Sequence, residues 1–222
     1  MYVSIIVTGE DARDFLQNQL TQDLALLGAD NPGPLLSAWC NPKGRVIVLM
    51  RVSWTDDGFA LTLPAELAEA VEKRLTMFRF RSRVEFEISD VASVQPDSPL
   101  DALKKGIAHI GTAQSESFTP HMLNLDLLDA VNFEKGCYPG QEIVARTHYR
   151  GATKRRMFRF ESDEPVAAGD AVLDDSGKSV GEVVNAIGTD LLAVVPVAAA
   201  DSTLRSGDAR LVRQPLPYDT CG

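Results

Sequence analysis

The residues best suited to chemistry in this 222-residue chain lie in one stretch, Lys135-Gly136-Cys137-Tyr138-Pro139-Gly140-Gln141-Glu142-Ile143-Val144-Ala145. A cysteine stands two residues after a lysine and just before Pro139 and Gly140, which restrict and bend the backbone. Gln141 to Thr147 reads as a short helix. Free amides at a helix start favour a nearby thiolate, and Lys135 adds positive charge if the backbone brings the two side chains together. That setting suits a thiol kept reachable for catalysis or ligation. The plainer account of an isolated cysteine is core filler, and the residues alone leave both open.

Glu142 and Arg146 are four apart, on one helical face. The plain reading is an ion pair worth a few tenths of a kcal/mol when exposed, at about 0.2–0.5 kcal/mol. The functional reading has Glu142 accepting hydrogen bonds from the amino-pyrimidine edge of a heterocycle while Arg146 holds a carboxylate. Tyr138 can stack on such a ring, or sit half-buried with its hydroxyl satisfied. His148 is available as a ligand or base, whereas His109 and His121 are isolated. Cys40 and Cys221 make no motif with Cys137, so no complete intramolecular zinc or iron–sulfur site is expected. One thiolate can still share a cluster across a protein interface. There is no Walker loop, dinucleotide fingerprint or serine-nucleophile elbow.

Composition narrows the classes further. The chain is 45% hydrophobic and 24% charged with a formal charge of -9, ordinary for a globular protein and unfavourable for stable nucleic-acid binding. Arg150, Lys154, Arg155 and Arg156 form a local basic patch, read as a solvated edge. No apolar run approaches the roughly 18 residues of a membrane span, and no basic segment precedes a cleavable apolar one. Three scattered cysteines suit a reducing compartment. The expectation is a cytoplasmic protein without membrane attachment, acting as a monomer.

The elements that must position the cysteine stretch begin with a strand at Met1–Val7. Thr8-Gly9-Glu10-Asp11 can cap a helix, with Thr8 as N-cap, over Ala12, Phe15, Leu16, Gln19 and Leu20. Asn18 and Gln22 of that segment can face a cavity, although a solvated surface is the simpler account. Leu35–Cys40, a turn at Asn41-Pro42-Lys43-Gly44, a strand from Arg45 to about Val52, and Phe59–Leu63 predict a three-stranded antiparallel meander. Pro64 suits a first helical turn, and Leu67, Val71, Leu75 and Phe78 share one face of the helix that follows. Ser82–Ile88 reads as a strand. Patterning weakens from Ser89 to Pro120, and Leu123–Val131 is buried but ambiguous between helix and strand. From Lys154 onward, short strands at turn-marked spacing predict a small antiparallel barrel or sandwich.

The motif Lys135-Gly136-Cys137-Tyr138-Pro139-Gly140-Gln141-Glu142 resembles the signature of the YgfZ family, folate-binding proteins linked to iron–sulfur clusters and related to the aminomethyltransferase of glycine cleavage. Supporting similarities run through Gly9, Asp11-Ala12, Phe15-Leu16-Gln17, Gln19, Thr21-Gln22-Asp23, Asn41-Pro42-Lys43-Gly44-Arg45, Pro120–Asp126, Ala145-Arg146, Tyr149-Arg150-Gly151 and Lys154-Arg155. The resemblance implies an α+β fold: an aminomethyltransferase-like folate-binding region over 1–150, with mostly antiparallel sheets and packed helices and a reduced segment near 90–120, then a small C-terminal β-barrel over 151–222. It implies a folate-binding accessory protein in the assembly, repair or maintenance of iron–sulfur enzymes, including those that modify tRNA. Cys137 and Lys135 take the chemical positions in this reading; Tyr138, Gly140, Gln141, Glu142 and Arg146 take the side of tetrahydrofolate or a related reduced folate. A transient iron–sulfur cluster would be shared with a carrier or client enzyme. A tetrahydrofolate-dependent one-carbon transferase and a non-catalytic adaptor are the alternatives. Fuller relatives have a larger middle region, so the resemblance implies that one wall of the folate cavity is reduced here or replaced by a partner.

Overall fold

The structure is a computed structural model described over residues 1–151 and 153–220; Cys221, one of the three cysteines considered above, lies outside the described residues. The chain forms two compact units interleaved along the sequence. One comprises residues 1–96, 110–117 and 129–145, and the other 97–109, 118–128 and 146–222.

The first unit is built on a five-stranded sheet. Its strands are β1 (Tyr2–Thr8), β2 (Leu35–Cys40), β3 (Val46–Thr55), β4 (Gly58–Pro64) and β5 (Glu85–Ser89), in the order β2-β3-β4-β1-β5. Every neighbouring pair is antiparallel, and Leu61 of β4 lies opposite both Ile5 and Val52. The predicted meander is therefore present as β2-β3-β4. Helices α1 (Ala12–Gln17) and α2 (Ala65–Phe78) pack on this sheet. In α2, Leu67, Val71 and Leu75 recur every four residues and are buried, as helical periodicity requires. Each such side chain contributes about 1.5–3 kcal/mol on burial. Phe78, placed on the same face from the sequence, is 39% exposed and meets Trp39 edge-on with ring centroids 6.2 Å apart.

Three local expectations are corrected. β1 runs through Thr8, so Thr8 caps nothing; α1 begins at Ala12, whose N–H reaches the Gly9 carbonyl. The Asp11 carboxylate accepts the Arg83 N–H at 2.7 Å, a tie to the loop before β5. Ser82 and Arg83 belong to the turn that ends α2, with the Ser82 N–H on the Arg79 carbonyl, so the last strand starts only at Glu85. Pro64 closes β4 and leaves Ala65 to open α2.

The second unit contains a closed six-stranded barrel. Strands β6 (Arg155–Ser162), β7 (Ala171–Leu173), β8 (Ser179–Ile187), β9 (Asp190–Pro196), β10 (Leu204–Ser206) and β11 (Ala209–Gln214) run in the order β10-β11-β6-β9-β8-β7. Pairing of Arg205 with Leu173 closes the ring and removes the exposed edges that a sheet would leave. Its interior is apolar, with Phe158, Phe160, Val172, Val183, Leu191, Val195, Leu204 and Leu211 in one cluster.

The weakly patterned middle stretch contributes to both units. Residues 97–109 carry α3 (Pro99–Lys104), started by Ser98, whose hydroxyl accepts the Asp101 N–H. Of the ambiguous Leu123–Val131 segment, Leu123 ends a short 3-10 helix, His121–Leu123, and the rest is neither helix nor strand, turning at Asn124 with φ of +57°. In the second unit, the Asn124 amide donates to the Met157 carbonyl at 2.6 Å, and Arg156 holds the Asp126 carboxylate at 2.8 and 3.0 Å. Among the described residues, no helix is long and apolar enough to cross a membrane.

Candidate functional site: the Cys137 turn

The turn that carries Cys137 is set by its neighbours on both sides. Upstream, the Asn132 side-chain oxygen accepts the N–H groups of Glu134 and Lys135 at 2.8 and 2.9 Å, the local bond by which asparagine starts a turn. The preceding strip is stitched to the segment after α1. The Thr21 hydroxyl donates to the Ala130 carbonyl at 2.7 Å, the Asn132 N–H reaches the Thr21 carbonyl at 2.9 Å, and the Gln22 amide donates to the Asp129 carbonyl. The Thr21 oxygen also accepts the Ala38 N–H from β2 at 2.9 Å. Gln22 is thus buried in backbone recognition, while Asn18 is exposed and bonds the Asp14 carbonyl at 2.8 Å within its own helix.

Lys135 is only 8% exposed. Its ammonium donates to the carbonyls of Gln17 and Leu20 at 2.6 Å each and lies 5.5 Å from the centre of the Tyr138 ring. Burial lowers its pKa to about 8, against which the Asp23 carboxylate acts to keep the charge. Two charge-assisted bonds to backbone carbonyls, one at the last residue of α1 and one just beyond it, compensate that desolvation.

Gly136 and Cys137 follow on the surface. The Cys137 thiol is free and exposed. Tyr138 then turns inward: it is 6% exposed, and among the described residues its hydroxyl is buried with no hydrogen-bond partner. Burial, reinforced by the neighbouring Cys40 thiol, holds that phenol above its ordinary pKa. Cys40 itself is buried, and burial pushes its thiol up to about 12, so it stays protonated and unreactive.

Downstream, Gly140 seats the start of α4 (Gln141–Arg150) directly on the β2–β3 hairpin turn. Its φ is +80°, and a Cβ there would lie 2.5 Å from the Asn41 carbonyl oxygen and 2.6 Å from the Gly44 Cα. Gly44, at φ of +67°, is less crowded, since a Cβ there would meet the Ile143 side chain at 3.0 Å. Only glycine satisfies both the left-handed backbone and the contact. Sheet hairpin and helix start therefore touch, with no space for a ligand between them at this point. Two segments singled out separately in the sequence, Asn41–Arg45 and Pro139–Glu142, are brought together backbone to backbone.

The hairpin turn is itself braced. The Asn41 side-chain oxygen accepts the N–H groups of Lys43 and Arg45 at 2.9 and 3.0 Å, and its amide donates to the Glu116 carboxylate. Glu116 also pairs with Arg74 at 2.7 Å, and Arg74 lies 5.5 Å over the Trp39 ring. The Asn41 amide and then the Arg74 guanidinium hold the Glu116 carboxyl below the usual range. Sequence reasoning missed Asn132, Glu116 and Arg74. An asparagine three residues before Lys135 was a usable turn signal. Nothing local marks Glu116, whose φ of +62° and partners arise only from the folded chain.

On α4, Glu142 and Arg146 are exposed and make no ion pair with each other, so the plain i,i+4 reading does not describe them. Farther along, the His148 ring lies 6.3 Å from that of His121, whose pKa burial lowers. Among the described residues no three His, Cys, Asp or Glu side chains group as a metal site. The arrangement can offer one reachable thiol on a braced turn, with an uncommitted carboxylate at the start of the following helix.

Comparison with known proteins agrees with this architecture. Residues 154–216, essentially the barrel, match the family model described as the CAF17 C-terminal beta-barrel domain. A tRNA-modifying protein YgfZ of Edwardsiella ictaluri is 28% identical, covering 99% of this chain and 91% of that protein. The chain is thus similar over nearly its whole length to proteins named YgfZ. A Haemophilus influenzae protein of uncharacterised role is 27% identical over 98% of this chain and 95% of its own length. The alignment to the Edwardsiella YgfZ runs over 302 residues against the 222 here, so at least 80 of its positions have no residue in this chain. The crystal structure of the glycine cleavage system aminomethyltransferase T from Bartonella henselae has the same fold. Its TM-score is 0.79 at 16% identity, covering 99% of this chain and 84% of that one. The aminomethyltransferase-like α+β fold with a C-terminal barrel, expected from the resemblance of the signature, is thereby established.

Proposed function

We propose that this protein is a folate-binding accessory factor for the assembly, repair or maintenance of iron–sulfur enzymes, tRNA-modifying ones included, and that Cys137 is its working thiol. The observation that carries the proposal is the exposed, free Cys137 on a turn secured at both ends by buried contacts. A core-filling cysteine has no need of that exposure, and Cys40 supplies the internal contrast. The name of the Edwardsiella relative, a tRNA-modifying protein, is consistent with clients in tRNA modification. The iron–sulfur cluster is cargo in this reading. Cys137 loses its proton to solvent or to a base of the partner and supplies one thiolate ligand, and the carrier or client supplies the others.

For a reduced folate, the donor set that fits is on α4. The Glu142 carboxylate accepts from the amino-pyrimidine edge, the Gln141 amide can bond ring polar atoms, and Arg146 one turn on suits a glutamate carboxylate. Tyr138 and Gly140 serve the same segment from behind, as a buried ring and a close backbone contact.

The test is complementation of cells lacking the gene, with native protein or Cys137→Ser at equal protein levels, reading the activity of a [4Fe–4S] enzyme. Rescue by the native protein alone is expected. Equal rescue by both would remove the thiol from the mechanism and leave an adaptor. Calorimetry with tetrahydrofolate, repeated on Glu142→Ala, tests the ligand separately: identical heats with and without folate would remove it. Turnover of a one-carbon donor by the purified protein would move the assignment to a transferase.

A further inference from the structure

We infer that Lys135 is a positioning residue that fastens the Cys137 turn to the C-terminal end of α1, and is not the electrostatic partner of the thiol. This deepens the proposed function, since it rests on Cys137 being the working group. The sequence places a lysine two residues from a cysteine and invites the view that its charge activates the thiol. The folded chain spends that charge elsewhere. The ammonium is buried on two carbonyls, Gln17 and Leu20, at 2.6 Å each, while the thiol faces solvent. Asp23 and the Tyr138 ring complete the surroundings of the cation.

The fastening reaches beyond one side chain. Gln17, whose carbonyl receives Lys135, uses its own amide on Asp23 at 2.9 Å and its side-chain oxygen on the Leu24 N–H at 2.8 Å. Thr21 and Gln22 take the strip 129–132 that leads into the turn. The segment Gln17–Leu24 is therefore a template on which the approach to Cys137 is laid, and Lys135 is its last peg, buried with its charge. Beyond the thiol, Gly140 repeats the fastening on the Asn41–Gly44 turn. A loop held at both ends keeps its exposed residue in one place, so a partner meets a preorganised ligand and loses less conformational entropy on binding.

A nitroxide label on Cys137, in a Cys221→Ser background with Cys40 protected by burial, reads this directly. The native protein should show a restrained spectrum and Lys135→Met a mobile one. The pH midpoint of Cys137 alkylation should stay where it is in the native protein. A control label at Asp57→Cys in the β3–β4 turn, with Cys137→Ser, should keep its spectrum in the Lys135→Met protein. A Cys137 label that stays restrained would overturn the inference, and a midpoint raised by about one unit alongside it would make the ammonium the partner of the thiol, since removing an adjacent opposite charge has that size of effect. Loosening of the control label as well would overturn it in favour of a general structural role. If Lys135→Met does not fold, hydrogen exchange on the native protein decides. Amides of 132–138 should open together with those of 17–22, and free exchange of the former alone would overturn the inference. These readouts are independent of client rescue: should Cys137→Ser support cluster enzymes fully, the proposed function fails while the fastening by Lys135 is judged on its own spectra.

Discussion

The Cys137 turn and the C-terminal barrel are held together by different physics. The barrel is an apolar core inside a ring of strands, five of whose six pairings, between β7 and β8, β8 and β9, β6 and β9, β6 and β11, and β10 and β11, are antiparallel ladders along short strands. The turn has almost no apolar anchor of its own apart from Tyr138. It is fixed by a buried ammonium on two carbonyls, by asparagine, threonine and glutamine side chains on backbone groups, and by glycine against glycine. Apolar packing is tolerant of sequence but expensive to excavate. A polar and backbone-to-backbone seat is cheaper to disturb in total stability yet unforgiving of a single atom, which is the property a positioned reactive group requires.

That contrast can be broken, most forcefully in the barrel. Phe160→Ala should cost about 3–5 kcal/mol by removing a fully buried aromatic from the barrel cluster. Denaturant unfolding should show it, with the alkylation rate of Cys137 in the folded protein unchanged; a large change in that rate would mean the two regions are not separately supported. Gly140→Ala should cost less, about 1–3 kcal/mol, from a left-handed backbone and a Cβ driven against Asn41 and Gly44. Its functional effect should nevertheless be the larger one, with loss of Cys137-dependent rescue at normal protein levels. Full rescue would show that the hairpin seat is dispensable.

The smallest effect sharpens the picture of the brace. Glu116 has its folded carboxyl lowered by Asn41 and Arg74, so the unfolded chain takes up the proton at a higher pH. Its contribution is present above the ordinary carboxyl pKa and is lost as pH falls through the lowered folded value. Being largely exposed, the pair should be worth only about 0–1 kcal/mol. The melting difference between native protein and Glu116→Gln should be small at pH 7 and close as the solution is acidified toward the lowered value. A difference that widens in acid would contradict the assigned brace.

The expectation of a barrel or sandwich was sound because its signal is local: β6, β7, β8, β9 and β11 carry apolar residues, and β7–β8, β8–β9 and β10–β11 pair consecutive strands; β10, with Leu204 as its one apolar residue, carried no such signal. The meander β2-β3-β4 was legible for the same reason. Helix α2 was visible through Leu67, Val71 and Leu75. Thr8 misled because its cap pattern competes with a strand that two neighbours, β4 and β5, extend to that residue. Tertiary pairing of this kind overrides a local capping preference.

By itself the sequence determined the meander, α2, an antiparallel barrel or sandwich at the C-terminal end and the cysteine motif, since periodicity, turn chemistry and a short signature are properties of neighbouring residues. Only the tertiary structure decided what the motif's side chains do. Lys135 meets Gln17 and Leu20 across more than a hundred residues, Gly140 meets Asn41 and Gly44 across nearly as many, and Glu116 reaches Asn41 from a segment with no readable pattern. Hydrogen-bond donors and close backbone contacts are satisfied by whichever groups the fold delivers, and spacing along the chain carries no record of that choice.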